Sequence, residues 1–427
     1  MTITPSPPDP APPPHLAGSP SSFAQTGRWA AHLVARTERR DDIAAGGGAL
    51  QFARRTRHPK GLELTIVRSS RNRSAALILA AVLCLAACGG DSGSDEAADP
   101  STTTTGEQPT TSDGGTSTSA TTEPEAPTGD PVPSAGCEAA TEAAEVVKER
   151  HDLTAGGEER WFLLTAPAEA DPVPLVIDLH GLAEGAEVHT QMSMMGELGL
   201  AEGFAVAFPQ GTGAVAGWRA TSPDSPDVAF VETVIDTIGA ERCIDTSRVY
   251  ATGLSNGAMM TSLLACAVAD RIAAFAPVAG MTLVEGCDPA RPVPIRTFHG
   301  TADPILFFNG GIGDLTSLDG GTPEAIAALP EADLDGEGQP QVARDWAELQ
   351  GCDEEASDEQ VSEQVIERTW DCPDGAAVEF TILDGQGHGW PGSDFARKIE
   401  RIVGPTIDGI DGSAEIWEFF EQYTLPS

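Results

Sequence analysis

The stretch from Arg248 to Ala267 constrains this chain more than any other. Arg248-Val249-Tyr250-Ala251-Thr252-Gly253 has the β-branched, aromatic and small character of a buried strand. Ala258 to Ala267 is free of Gly and Pro and reads as an apolar helix. Between them stands Gly253-Leu254-Ser255-Asn256-Gly257. A strand that passes straight into a helix through a glycine-flanked turn points to alternating strands and helices around a parallel sheet. In a chain with 46 glycines, the spacing G-x-S-x-G arises by chance in roughly one sequence in three. The flanking strand and helix therefore carry more weight than the glycines. In that setting the turn lifts a serine hydroxyl above the sheet; the plain alternative is a structural serine.

A serine hydroxyl is a poor nucleophile at neutral pH. It needs a histidine to take its proton and a carboxylate to fix the histidine's tautomer. Downstream, His299-Gly300-Thr301-Ala302-Asp303 supplies an acid and Gly387-His388-Gly389-Trp390 a histidine. The order Ser…Asp…His is that of the α/β-hydrolase triad. Ser255 is thus the candidate nucleophile, Asp303 the acid and His388 the base. Asp303 follows a predicted strand at Ile295–His299 and His388 one at Val378–Leu383, and open α/β sheets bind ligands beyond strand ends. Asp314 and Asp384 are alternative acids, although Asp384 is awkwardly close in sequence to His388.

Upstream, Pro174-Leu175-Val176-Ile177-Asp178-Leu179 reads as a buried strand ending in His180-Gly181-Leu182. The loop after such a strand, with the residue after the nucleophile, offers two backbone N–H groups to a developing oxyanion. Leu182 and Asn256 take that role, in which side-chain identity should count for little. His180 reads as a packed, hydrogen-bonded core histidine. Further strands are predicted at Trp161–Thr165, Leu175–Leu179, Ala205–Pro209 and Ala273–Val278. Helices are predicted at Thr190–Gly199, Val228–Ile238, Ala258–Ala269, Gln341–Leu349 and Gly412–Tyr423. The fold class expected is α/β, an α/β-hydrolase with a mostly parallel central sheet and helices on both faces. Trp390 and Trp218 are candidate substrate-binding walls, since an indole near a serine site offers a flat apolar surface; core packing is the alternative.

Together these segments resemble one family. His180-Gly181, Gly211 to Trp218-Arg219, Asp227-Val228-Ala229-Phe230, Gly253 to Met259, Ala276 to Gly280, Arg291 to Pro294, His299 to Asp303 and Gly387 to Gly392 look like the polyhydroxybutyrate depolymerase-like esterases of the LpqC type. That family is similar to feruloyl and acetylxylan esterases. The resemblance runs from about Cys137 to Tyr423 and implies a serine esterase using Ser255, Asp303 and His388. The stretch from Ile305 to Pro340 is longer and more acidic than the family pattern.

The front of the chain differs in kind. Arg68, Arg71 and Arg73 precede an apolar run from Ala75 to Leu85, followed by Leu85-Ala86-Ala87-Cys88. A basic start, a short apolar run and small residues before a cut make a signal peptide, and the run is about half the length a membrane-spanning helix needs. Leu-Ala-Ala-Cys also looks like a lipobox, which makes Cys88 the lipidation site and the only tie to a membrane. The division expected is 1–66, a non-native or disordered extension; 67–87, the lipoprotein signal; 88–136, a disordered Ser/Thr/Pro-rich linker; and 137–427, the hydrolase domain. Val67 would then be an alternative start.

Charge and cysteines suit an exterior address. The chain carries 25 Lys and Arg against 65 Asp and Glu, a formal net charge of −40, with the acidic excess lying after Cys88. Such a surface argues against nucleic acid and against adsorption to anionic headgroups. Of 8 cysteines, Cys84 lies in the signal and Cys88 at the lipid site, which leaves an even number for disulfides. The family resemblance, with proximity in sequence, implies Cys352–Cys372, Cys266–Cys287 and Cys137–Cys243. No cysteine has metal-site spacing, and Asp333-x-Asp335-x-Glu337-Gly338 has Arg344 where a calcium loop wants its final Glu, so an acidic loop is expected there. Neither cofactor nor metal is expected. The reading is an exported bacterial serine esterase, anchored at the outer face of the membrane or in the cell envelope. Its substrate would be a polyhydroxyalkanoate-type oligoester or a feruloyl or acetyl ester. The alternatives are a peptidase on the same fold and a catalytically silent surface-binding lipoprotein.

Overall fold

The computed structural model describes residues 129–139, 144–168 and 171–426. The N-terminal extension, the signal, Cys88 and all of the linker up to residue 128 lie outside the described residues.

Apolar residues alternate along the central strands, and the two resulting faces are each covered by helices. In β3 (Val173–Leu179), Leu175, Ile177 and Leu179 enter one core while Val176 enters the other. In β5 (Ile244–Leu254), Val249 and Ala251 face the first core and Tyr250 the second. This is the period-2 pattern of a sheet buried on both sides. The first core is closed by helices Pro226–Glu241, Asn256–Ala267 and Gln339–Gln350 through Phe230, Val234, Met260, Leu263 and Trp346. The second is closed by Ala186–Ser193, Met195–Glu202 and Gly412–Phe420 through Met192, Met195, Ile416 and Phe420.

The remaining strands are β1 (Val146–Ala155), β2 (Glu158–Ala166), β4 (Ala205–Pro209), β6 (Ala274–Val278), β7 (Pro294–Gly300), β8 (Ala356–Ser362), β9 (Val365–Trp370) and β10 (Ala377–Leu383). They form a sheet in the order β1-β2-β4-β3-β5-β6-β7-β10-β9-β8. From β4 to β10 all neighbours are parallel. Antiparallel pairs finish both edges. After β3 the chain moves to β4 on one side and then to β5 on the other, so a crevice opens beyond the carboxyl ends of β3 and β5. This is the α/β-hydrolase architecture expected from the sequence.

Two expectations need correction. The predicted helix Thr190–Gly199 is two helices, Ala186–Ser193 and Met195–Glu202, broken at Met194 with φ 55°. The break has a local cause: Ser193 Oγ donates to Asp178 and accepts from the Met195 N–H, so the first helix ends there. β1, β8 and β9 were also not predicted; β8 reads Ala-Ser-Asp-Glu-Gln-Val-Ser and is exposed along nearly its whole length.

The acidic excursion after Ile305 is pinched at its base. The Gln339 N–H donates to Phe308 O at 2.9 Å, and Gly338 packs so closely on Gly310 that a Cβ there would lie 2.2 Å from the Gly310 nitrogen. From helix Gln339–Gln350, Arg344 donates to Gly336 O, and from β9 Arg368 pairs with Asp335, so guanidinium groups reach the acids of the loop. Disulfides join Cys137 to Cys243, Cys266 to Cys287 and Cys352 to Cys372. Among the described residues no helix is long and apolar enough to cross a membrane.

Candidate active site

β5 runs into helix Asn256–Ala267 with one residue between them, and that residue is Ser255. Its φ of 58° and ψ of −114° lie in a region that non-glycine residues rarely adopt, a strain of about 1–3 kcal/mol held by the surroundings. The neighbouring glycines allow it. A Cβ on Gly257 would lie 2.0 Å from Leu179 O, and one on Gly253 2.6 Å from the same oxygen. Strand, turn and helix thus pass over the end of β3 at a distance that excludes any side chain.

The turn brings Ser255 Oγ within 2.7 Å of His388 Nε2, and His388 Nδ1 lies 2.7 Å from Asp303 Oδ2. With Asp303 ionised, His388 donates from Nδ1 and accepts the serine proton at Nε2. Asp303 follows β7 and His388 follows β10, both at carboxyl ends, as does Ser255. Burial opposes ionisation of Asp303. The adjacent His388, hydrogen bonds from His299 and His388, and the charge of His299 together outweigh it and hold the carboxyl well below the usual carboxylate range. Its other oxygen, Oδ1, accepts the N–H groups of Ile305 and Leu306, each at 2.8 Å. The first residues of the acidic excursion therefore anchor the acid. Asp384 instead accepts from Thr301, and Asp314 accepts from Thr316.

The loop after β3 lies against the serine. A Cβ on Gly181 would sit 3.7 Å from Ser255 Cβ. On either side of Leu182 the backbone N–H groups are engaged: Gly181 donates to Glu184 Oε2 at 2.6 Å and Ala183 to Ala216 O at 2.8 Å. Asn256 is the first residue of its helix, where backbone N–H groups have no partner within the helix. Its side chain is not neutral in the arrangement, contrary to the sequence expectation. Asn256 Oδ1 accepts from the Trp218 N–H at 2.7 Å and Nδ2 donates to Trp218 O at 3.2 Å.

His180 is fully buried, with Nδ1 donating to Gly181 O at 2.7 Å and Nε2 accepting from the Gly211 N–H at 2.9 Å. That pattern needs the neutral ring, and burial pushes its pKa down to about 4. It is a packed histidine that ties the β3 loop to the loop after β4.

Trp218 and Trp390 are not open walls. Trp218 is 2% exposed and its indole N–H donates to His180 O; Trp390 is 1% exposed and donates to Ser413 Oγ. Both are spent on packing and on holding neighbouring loops, because each indole nitrogen finds an internal acceptor.

Sequence reasoning passed over three groups that support the site. Gln386, 1% exposed, accepts the Ile407 N–H and donates to Gly389 O across the His388 loop. Asp227 accepts from Arg160 and from the backbone and side chain of Arg219, pinning the loop that carries Trp218. Asp178, Glu184 and His189 form a buried charged run beneath the β3 loop. Asp227 heads one of the segments of the family resemblance; of the others, only Asp178, an acid near the end of an otherwise apolar strand, offers a signal in the sequence. Among the described residues no group of three His, Cys, Asp or Glu side chains could hold a metal ion.

Residues 161–328 match the family model described as Esterase PHB depolymerase. Feruloyl esterase B of Piromyces equi is 30% identical over 239 residues, which are 53% of this chain and 42% of that protein. NocK of Nocardia uniformis subsp. tsuyamanensis, whose name marks it as a provisional esterase, is 28% identical over 68% of this chain and 90% of its own length. Among solved structures, an acetyl xylan esterase from Aspergillus awamori overlaps 59% of this chain and 99% of its own at 16% identity, with a TM-score of 0.41. This chain spans about two fifths of the length of the Piromyces protein. The matched family is described as an esterase family, and these relatives carry esterase names, NocK provisionally.

Proposed function

We propose that this chain, with its Esterase PHB depolymerase domain over residues 161–328, hydrolyses carboxylic esters by two-step acyl transfer at Ser255. The observation that carries the reading is the continuous hydrogen-bonded run Ser255 Oγ, His388 Nε2, His388 Nδ1, Asp303 Oδ2, at 2.7 Å for each link. His388 takes the serine proton as Oγ attacks the ester carbonyl. Asp303 keeps Nδ1 protonated and steadies the imidazolium that forms. Charge developing on the carbonyl oxygen is met by the N–H groups of Leu182, on the loop after β3, and of Asn256, at the start of the helix that follows Ser255. His388 then gives the proton to the departing alcohol; a water that passes its proton to His388 attacks the acyl-enzyme, the acid leaves, and His388 returns the proton to Ser255 Oγ.

The substrate class is an oligoester of the polyhydroxyalkanoate type or a feruloyl or acetyl ester, in keeping with the matched family and the named relatives. Residues 137–427 form the hydrolase unit, carried outside the cytoplasm. The three disulfides support an oxidising compartment, and Leu85-Ala86-Ala87-Cys88 supports export as a lipoprotein tethered through Cys88.

The test is hydrolysis of p-nitrophenyl acetate, butyrate and octanoate and of methyl ferulate by the purified protein and by Ser255→Ala. Activity lost in the variant is the expected result, and the preferred ester separates aliphatic from aromatic chemistry. Equal turnover by the variant removes Ser255 from the reaction. Silence of the folded protein on every ester turns the reading toward a peptidase or a binding scaffold.

A further inference from the structure

His189 is fully buried and each of its ring nitrogens faces a carboxylate. Nε2 lies 2.7 Å from Asp178 Oδ1 and Nδ1 lies 3.1 Å from Glu184 Oε1. An ionised carboxylate oxygen only accepts, so both nitrogens must donate and the ring is an imidazolium. Ser193 donates to the remaining oxygen of Asp178. The remaining oxygen of Glu184 accepts the Gly181 N–H at 2.6 Å, a short charge-assisted bond. Gly181 immediately precedes Leu182, and a Cβ added to it would lie 3.7 Å from Ser255 Cβ. The ring of His189 also meets Trp390 edge-on at 5.7 Å, two residues from His388.

A carboxylate in a sealed core is costly unless it is paired and hydrogen-bonded. Here both acids share one cation, and the only backbone group that Glu184 draws in from the β3 loop is the N–H beside Leu182. The chain of bonds runs from the end of β3 through Asp178, His189 and Glu184 back to the loop that β3 feeds. It closes a ring that fixes where Leu182 lies relative to Ser255.

We propose that Glu184 and His189 are positioning residues that hold the Gly181–Leu182 backbone so that the Leu182 N–H meets the oxyanion of the reaction at Ser255. The inference rests on the acyl-transfer reading above. Its consequence is specific: disturbing the brace weakens binding of the transition state and leaves ground-state binding of the ester alone.

Two variants separate reach from charge. Glu184→Gln keeps an oxygen at the distance of the Gly181 N–H and removes the charge; Glu184→Asp keeps the charge and withdraws it by one methylene. For hydrolysis of p-nitrophenyl acetate by the full protein, Glu184→Gln should retain kcat within about threefold, and Glu184→Asp should lose about tenfold to a hundredfold in kcat with KM within about twofold. Affinity for a phenylboronic acid, which becomes tetrahedral on the serine, should fall with kcat. Thermal stability should run the other way, with Glu184→Gln the less stable because it leaves His189 with a single carboxylate. If kcat follows thermal stability across the two variants, or if the folded Glu184→Asp protein turns over like the parent, the proposal is overturned. Should Glu184→Asp not fold, His189→Gln is expected to show the same loss in kcat at constant KM, and unchanged turnover by that variant overturns it equally. Ser255→Ala run alongside keeps the two readings apart: ester hydrolysis that does not depend on Ser255 defeats the acyl-transfer reading, whereas Ser255-dependent hydrolysis indifferent to residue 184 defeats only this one.

Discussion

Asn256 holds the backbone of Trp218 at both ends of its amide, accepting from the Trp218 N–H at 2.7 Å and donating to its carbonyl at 3.2 Å. The residue that follows Ser255 thereby sutures the turn to the loop opposite. Asn256→Ala leaves a buried N–H and a buried carbonyl without their partner, which costs about 1–3 kcal/mol. It should also shift the backbone N–H assigned to the oxyanion, with a loss in kcat of about tenfold to a hundredfold. Asn256→Asp should fare no better, because it restores the acceptor while placing a carboxylate oxygen against Trp218 O. Thermal melts and steady-state kinetics on both variants decide this; a wild-type kcat in either would mean that the clamp is dispensable.

Asp303 has two jobs on two oxygens, one toward His388 and one toward the Ile305 and Leu306 N–H groups. Asp303→Asn disturbs mainly the first. An amide can favour the wrong histidine tautomer, and in the serine protease worked through in general accounts of the triad the matching change lowers kcat about 10⁴-fold. A fall of about that order is expected here, with the fold retained. Asp303→Ala should in addition lower the melting temperature, since two buried N–H groups lose their acceptor. Equal melting temperatures for the two variants would show that the loop anchor contributes nothing.

Gly257→Ala should not yield a folded elbow. The added carbon would lie 2.0 Å from Leu179 O, a backbone atom at the end of a central strand that cannot swing away. Insoluble protein or a melt lowered by several kcal/mol is the expected outcome. A soluble variant with parental activity would require the helix to stand further from β3 than it does.

Two buried histidines bound the pH range of stability from opposite sides. The pKa of His180 is pushed down to about 4, so its contribution is present above the unfolded value near 6.5 and is lost as pH falls toward 4. The pKa of His189 behaves oppositely. Burial would lower it, but Asp178 and Glu184 raise it to about 10, so its contribution is complete below about 6.5 and is lost as pH rises toward 10. Calorimetric melts from pH 4 to pH 10 should therefore peak near neutrality and decline on both sides. His189→Gln should flatten the alkaline decline. A melting temperature that holds steady from pH 7 to pH 10 in the parent would exclude a buried imidazolium at 189.

The Cys137–Cys243 bridge spans 106 residues, against 21 and 20 for the other two. On chain-entropy grounds a loop of ~100 residues contributes about 4.7 kcal/mol and one of ~15 residues about 3 kcal/mol. Paired Cys→Ser replacement at 137 and 243 should thus lower the denaturant midpoint more than either of the other pairs. A smaller effect than Cys352–Cys372 would show residual structure in the unfolded segment.

Much of the candidate site's arrangement was legible in the sequence because the proposed chemistry requires fixed residue types at fixed places in the fold. Ser255, Asp303 and His388 each follow a strand that is buried along most of its length, and such burial gives β3, β4 and β6 near-continuous apolar runs. The edge strands β1 and β8 escaped notice for the complementary reason. With Lys148, Glu149 and Arg150 in one and Asp358 and Glu359 in the other, they face solvent and carry little periodic apolar signal. The break at Met194 depends on Asp178 capturing the Ser193 hydroxyl from another element, which no local window reveals. The tryptophans misled for a similar reason: proximity in sequence to His388 says nothing about which way an indole points, and Trp390 points to Ser413.

The excursion after Ile305 is closed at its neck by the Phe308–Gln339 hydrogen bond, while its first two N–H groups belong to Asp303. Residues 309–338 thus leave and return at neighbouring points, and on the way Gly313 donates to Ile305 O and Gly321 to Arg401 O. A graft made between those ends keeps both N–H groups that hold Asp303, provided that it also replaces the contacts to Ile305 and Arg401. A cut three residues earlier would take the carboxylate's anchor with it. For any redesign of this loop, the base of the exchangeable piece is marked by the Phe308–Gln339 backbone hydrogen bond.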